Sequence, residues 1–253
     1  MTFALPWAGL ESAMLAGVRM AAFLVIAPPF AHRGIPGRIK AMLAVVLGLL
    51  VAPRARASAD PTDIGFFIGQ LVMQVVIGAA LGFLVALVFA AVQSAGALLD
   101  LFAGFQMAAA FDPLNQTSGA QLQRLYQMTA TVLLFASDGY QIVITGLVRT
   151  FDVIPLGTPL DLAATAAASA DGLTGMFVAA LQVAGPLAVV LFLADVGLGL
   201  LTRVAPALNA FALGFPLKIL LTLSLGGMAY LALPGLVDAL TDDAVRTVIG
   251  VSP

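Results

Sequence analysis

The sequence predicts an all-α integral membrane protein whose helices are kinked and discontinuous and pair as hairpins. Three observations predict it. The 253 residues are 61% hydrophobic and 9% charged, with 11 Lys and Arg against 13 Asp and Glu. A soluble domain is about 25% charged, and so few charges cannot solvate a water-exposed surface of this size. Charge-free runs recur along the chain: 36 residues at 64–99, 23 at 172–194 and 19 at 219–237, with runs of 12 to 14 residues at 20–31, 41–53, 125–137 and 204–217. Helix breakers fall inside these runs: Pro28, Pro29, Pro186, Pro206, Pro216 and Pro234, with Gly197, Gly199, Gly226 and Gly227 nearby. A mid-helix proline frees a carbonyl, which is tolerable in a membrane only where neighbouring protein or water satisfies it.

Taken in order, Met1 to Leu10 lacks the basic opening and small-residue cleavage site of a signal peptide and is interrupted by Glu11, so the first segment is expected to be retained. Arg19 sits in the middle of Met14 to Phe30. A charge at the centre of a lone lipid-facing helix costs about 2.5 to 3.5 kcal/mol on insertion scales, so Arg19 needs partners, either in an ion pathway or in a structural pair between helices or subunits. His32 and Arg33 open a basic stretch, Ala31 to Lys40, whose Arg33, Arg38 and Lys40 meet no acid. The excess of Lys and Arg puts this stretch, and the slightly basic Asp195 to Lys218, on the cytoplasmic side, with the N-terminus outside. His32 reads as an interface residue.

The run 64–99 is too long for a simple span of about 20 residues and must tilt, bend, fold back or project beyond the lipid. Inside it, Gly78 and Gly82 form G-x-x-x-G, either a chance spacing among 25 glycines or a face where two helices approach closely. The 12- to 14-residue runs are too short to cross alone, so they belong to hairpins, half-helices or burial against other subunits.

Asp112-Pro113-Leu114-Asn115-Gln116-Thr117-Ser118-Gly119 is a loop by its turn chemistry. Its lead-in, Gly104-Phe105-Gln106-Met107, allows two readings: a plain surface turn, or a pliable plug in a passage, since Met fills irregular space. Asp152 to Asp171, with Pro155 and Pro159, reads as the main connection between an N-terminal half, 1–160, and a C-terminal half, 161–253, of a single domain over 1–253. Run 172–194 has the length of a span, as does 219–237. Between them Asp195 and Arg203 lie eight residues apart, about 80° around a helix and about 12 Å along it, so they cannot pair directly. With Asn209 and Lys218 they form a polar thread that serves either as a substrate path or as a subunit seam.

With no cysteine and one histidine, thiol chemistry and multi-histidine metal centres are excluded. The net charge of −2 shows no basic excess for nucleic acid. No nucleotide loop, zinc-protease helix or nucleophile elbow occurs, so no catalytic residue, cofactor or metal is assigned.

Over nearly its whole length the chain resembles the FliR family of flagellar export-gate proteins, whose virulence-secretion members are called SctT or SpaR-like. The resemblance rests most on Leu193-Ala194-Asp195-Val196-Gly197-Leu198-Gly199-Leu200-Leu201-Thr202-Arg203-Val204-Ala205-Pro206-Ala207-Leu208-Asn209-Ala210-Phe211-Ala212-Leu213-Gly214-Phe215-Pro216-Leu217-Lys218. Three more stretches agree: Arg19 with Ala27-Pro28 and Ile35 to Lys40; Ala95-Gly96 through Gly104-Phe105-Gln106-Met107 to Asp112-Pro113; and Leu134-Phe135 through Asp138-Gly139-Tyr140 to Phe151 and Pro155. The chain departs from the family at Ala207, where Gln is common, and at Asp138-Gly139-Tyr140, where Asn-Gly-His is frequent.

The resemblance implies a fold like a fusion of FliP-like and FliQ-like chains, and a non-enzymatic subunit that joins such partners, with a FlhB-like protein nearby, in the inner membrane at the flagellar basal body. It would help gate the outward passage of unfolded flagellar proteins. Phe105, Met107 and Phe111 would supply steric closure and Asp112 and Asn115 would anchor the loop. Arg19, Asp195, Arg203, Asn209 and Lys218 would form polar pairs between helices or subunits. The alternative is a self-contained secondary transporter around Asp195, Arg203 and Asn209, which predicts an internal repeat that the halves do not display.

Overall fold

The computed structural model describes residues 7–28, 30–32, 34–55, 64–106, 120–158, 162–205, 210–231, 233–235, 237 and 239. Regular structure among them is helical throughout: α1 Trp7–Ile26, α2 Gly37–Val51, α3 Ile64–Ala103, α4 Gln121–Ala136, α5 Gly139–Val153, α6 Leu162–Val204 and α7 Ala210–Leu231. Among the described residues three helices, α1, α3 and α6, are long and apolar enough to cross a membrane, with a fourth span if the broken pair α4 and α5 makes one. The chain is an all-α integral membrane protein.

The helices fall into two compact units. One takes α1, α2, α3 as far as Val88, α5, and α6 as far as Leu173. Its core collects one face of each helix at three- and four-residue spacing. Ala16, Met20 and Phe23 come from α1, Ile77, Leu81 and Val85 from α3, and Val143, Leu147 and Phe151 from α5. Where lipid rather than water is the alternative, apolar burial alone drives little association, and close backbone packing and hydrogen bonds decide. Gly48 of α2 illustrates the packing: an added Cβ would stand 2.7 Å from Gly17 Cα.

The other unit takes α3 from Phe89, α4 to Leu134, α6 from Thr174, and α7. Phe89, Val92, Leu99 and Ala103 of α3 are buried here, as are Tyr126, Ala130 and Leu134 of α4 and Ala180, Ala184, Leu187 and Leu191 of α6. Large apolar side chains stay exposed outside both cores, among them Met42 and Leu50 on α2, Phe192 and Leu200 on α6 and Leu223 on α7. Surface of this kind belongs against lipid or other protein.

One open alternative closes and two sequence expectations change. The long run does not fold back: α3 is one 40-residue helix that continues past Asp100 to Ala103 and stops at Gly104, whose φ of +80° is the left-handed stop glycine permits. Pro186 and Pro216 lie inside α6 and α7 without ending them, because the surrounding apolar run leaves the backbone no better partner than its own helix. Left-handed backbone marks two of the helix ends among the described residues, at Gly104 and at Asp138, which takes φ +58° between α4 and α5. Finally, α6 starts at Leu162, well inside the presumed connection. Its first turns, Ala163-Ala164-Thr165-Ala166-Ala167-Ala168, are rich in the strongest helix former.

Candidate functional site

The chemistry of this chain lies in a few charges placed inside apolar helices. Arg19 of α1 is fully buried. Its Nε donates to Gln74 Oε1 of α3 at 2.7 Å. Its Nη1 faces the Thr150 carbonyl at 3.3 Å and Thr150 Oγ1 at 3.4 Å, and its Nη2 donates to the Ile154 carbonyl at 2.9 Å. The guanidinium also lies 4.1 Å from the Phe151 ring centroid, within range for a cation–π contact. Thr150 and Ile154 form the last turn of α5 and its cap, so the cation sits on the negative end of a helix, sharing the Thr150 carbonyl with the Ile154 N–H. No carboxylate bonds Arg19 among the described residues; the fork of five N–H donors is met by neutral oxygens instead.

Gly78 permits this arrangement. A Cβ there would collide with the Arg19 carbonyl oxygen and stand 2.9 Å from Ala22 Cβ, while one at Gly82 would stand 3.1 Å from the Phe23 carbonyl oxygen. Both glycines of the G-x-x-x-G pair therefore face α1 at backbone distance. Gln74 Nε2 and Gln70 Oε1, one turn apart on α3, are buried without hydrogen-bond partners among the described residues.

The C-terminal polar residues are distributed differently. Lys218 Nζ of α7 and Asp195 Oδ2 of α6 form an ion pair at 2.7 Å, with side chains 17% and 48% exposed respectively. Arg203 is exposed in the last turn of α6, where a cation suits the helix dipole. Phe105 is half-buried and follows the left-handed Gly104. Met107, Phe111, Asp112, Asn115 and Asn209 lie outside the described residues.

One charge that sequence reasoning passed over is as buried as Arg19. Asp100 of α3 is fully buried. Its Oδ1 accepts the Leu122 N–H and its Oδ2 the Gln123 N–H, each at 2.9 Å. These donors belong to the first turn of α4, whose N–H groups have no partner within the helix. The only sequence signal was that Asp100 closes a 36-residue charge-free run and stands four residues after Gly96. A second polar contact, Thr129 Oγ1 to Tyr230 Oη at 2.8 Å, borders an apolar cavity of about 250 Å³ lined by Met128, Val132, Leu133 and Pro234.

Residues 10–244 match the family described as bacterial export proteins, family 1. The chain belongs to this family. Among relatives of this bacterial export family, the flagellar biosynthetic protein FliR of Escherichia coli (strain K12) is 35% identical, over 82% of this chain and 80% of its own. FliR of Bacillus subtilis (strain 168) is 26% identical over 81% of each chain. The surface presentation of antigens protein SpaR of Shigella sonnei is 24% identical over 77% of this chain and 76% of its own. The match to bacterial export proteins, family 1 spans both helical units described above.

Proposed function

We propose that the chain is a non-enzymatic subunit of the flagellar type III protein export gate in the bacterial inner membrane. It completes a channel-forming complex with FliP-like and FliQ-like subunits beside a FlhB-like chain, and helps gate the passage of unfolded flagellar proteins. The observation that carries this reading is the 35% identity to a flagellar FliR across 82% of the chain. The exposed apolar faces of α2, α6 and α7 support it, since they offer surface to neighbouring subunits. Within it, Phe105, Met107 and Phe111 supply steric closure, Asp112 and Asn115 anchor their loop, and the Asp195–Lys218 pair, with Arg203 and Asn209, lines a seam.

The deciding experiment is the native mass of complexes drawn from mild detergent by a tag on this chain, with every subunit identified by peptide sequencing. One copy inside a larger assembly with FliP-like and FliQ-like chains is the expected result. Recovery of the chain alone, or as a small homo-oligomer that binds a small solute, would overturn the reading in favour of a secondary transporter.

A further inference from the structure

We propose that Asp100 is the positioning residue that fixes the base of the stretch between α3 and α4. A carboxylate with no exposed surface in an apolar helix has lost its hydration and must be compensated nearby. No side-chain cation bonds it among the described residues; each of its oxygens instead accepts one backbone N–H, from Leu122 and from Gln123. Bonds of this charge-assisted kind are roughly twice as strong as neutral ones, and the helix N-terminus adds about half a positive charge.

Gly96 lies one turn before Asp100 on the same face of α3. A Cβ at Gly96 would stand 2.6 Å from Gln123 Cα, 2.8 Å from Gln123 N and 2.9 Å from the Leu122 carbonyl oxygen. The glycine thus removes the side chain that would hold α4 away, and the carboxylate grips the first turn that descends. α3 ends at Ala103 and α4 begins at Gln121, so the 17 residues between them start and finish at this clasp. Whatever path those residues take, Asp100 sets where both their ends stand. The inference rests on the reading of that stretch as the channel's closure, and it assigns the side chain that keeps the closure in register.

The test uses the assembled complex in membranes. Because the chain has no native cysteine, a single Gln123→Cys reports on the clasp through its rate of reaction with a small maleimide. Asp100→Asn keeps the side-chain shape but turns an NH2 toward one of the two N–H groups. Leu122→Pro leaves α3 untouched and deletes one donor at a position in the first helical turn where proline is tolerated. Both variants are expected to label about tenfold faster than the parent, given what a buried charged hydrogen bond contributes, and to leak small ions while remaining in the complex. Unchanged labelling in both variants overturns the clasp. Faster labelling with a tight membrane keeps the clasp and sinks the closure reading, which the Phe105 and Met107 variants below probe independently.

Discussion

Arg19 Nη2 and the Ile154 carbonyl meet at 2.9 Å, so a cation from α1 closes the C-terminal end of α5. The geometry needs the planar fork, because Nε must reach Gln74 on α3 while the two terminal nitrogens reach Thr150 and Ile154. Lysine is a point donor and cannot span these acceptors. Arg19→Lys is therefore expected to destabilise the first unit by about 2 kcal/mol and Arg19→Ala by more, because a buried acceptor left unmet, such as the Ile154 carbonyl, costs about 1–3 kcal/mol. Thermal unfolding in mild detergent checks this; a lysine variant that melts with the parent would show that charge alone suffices.

Gly78 and Gly175 offer a matched contrast. Alanine at Gly78 drives its Cβ into the Arg19 backbone, whereas alanine at Gly175 of α6 meets no atom within 4 Å. Gly78→Ala is expected to cost about 1–3 kcal/mol through forced backbone shifts. Gly175→Ala should be neutral or stabilising by up to about 1 kcal/mol, as helix propensity favours Ala over Gly. Equal melting temperatures for the two variants would remove the close-approach argument.

The Asp195–Lys218 pair is half open to its surroundings on the aspartate side. Exposed pairs contribute about 0.2–1 kcal/mol, so Asp195→Asn should lower stability only slightly. The coupling is the sharper quantity. A double-mutant cycle with Lys218→Met is expected to return an interaction within that range, and exchanging the charges, Asp195→Lys with Lys218→Asp, should recover most of it. A coupling of zero would mean that the contact at 2.7 Å contributes nothing.

Replacing Phe105 and Met107 together by Gly removes two bulky side chains from the stretch after α3 while leaving Asp100 and Gly96 in place. Assembly is expected to persist and the membrane to leak small ions, measured as flux into vesicles that carry the complex. A tight membrane with both residues changed would end their role as steric closure.

Element type was legible in the sequence because lipid imposes a simple rule: charge-free runs of span length become helices, and 64–99 and 172–194 indeed lie within α3 and α6. Element ends were less legible. Asp100 looks like the charge that stops a run, yet α3 continues to Ala103 because the carboxylate is satisfied by α4, 22 residues further on. Pro186 looks like a break, yet α6 passes it, since proline weakens a helix in lipid less than the loss of all its backbone bonds would. The burial of Arg19 could be read from its place in an apolar run, but its partners could not. Gln74 is 55 residues away and Ile154 135, and only tertiary packing selects such acceptors. Gly96 belongs to the family resemblance but carried no sign of what it packs against, because a glycine in a helix shows its purpose only once the neighbour it admits is known.

The long reach of Arg19 also orders events during synthesis. Its α5 acceptors begin at Thr150, 131 residues after it in the chain. At about 5–20 residues per second, the ribosome delivers them on the order of 10 s after α1 has emerged. During that interval only Gln74, 55 residues after Arg19, is there to meet the guanidinium, so part of the cost of a mid-helix charge, about 2.5–3.5 kcal/mol when wholly unmet, stands until α5 arrives. α1 is thus made well before the helix that locks it.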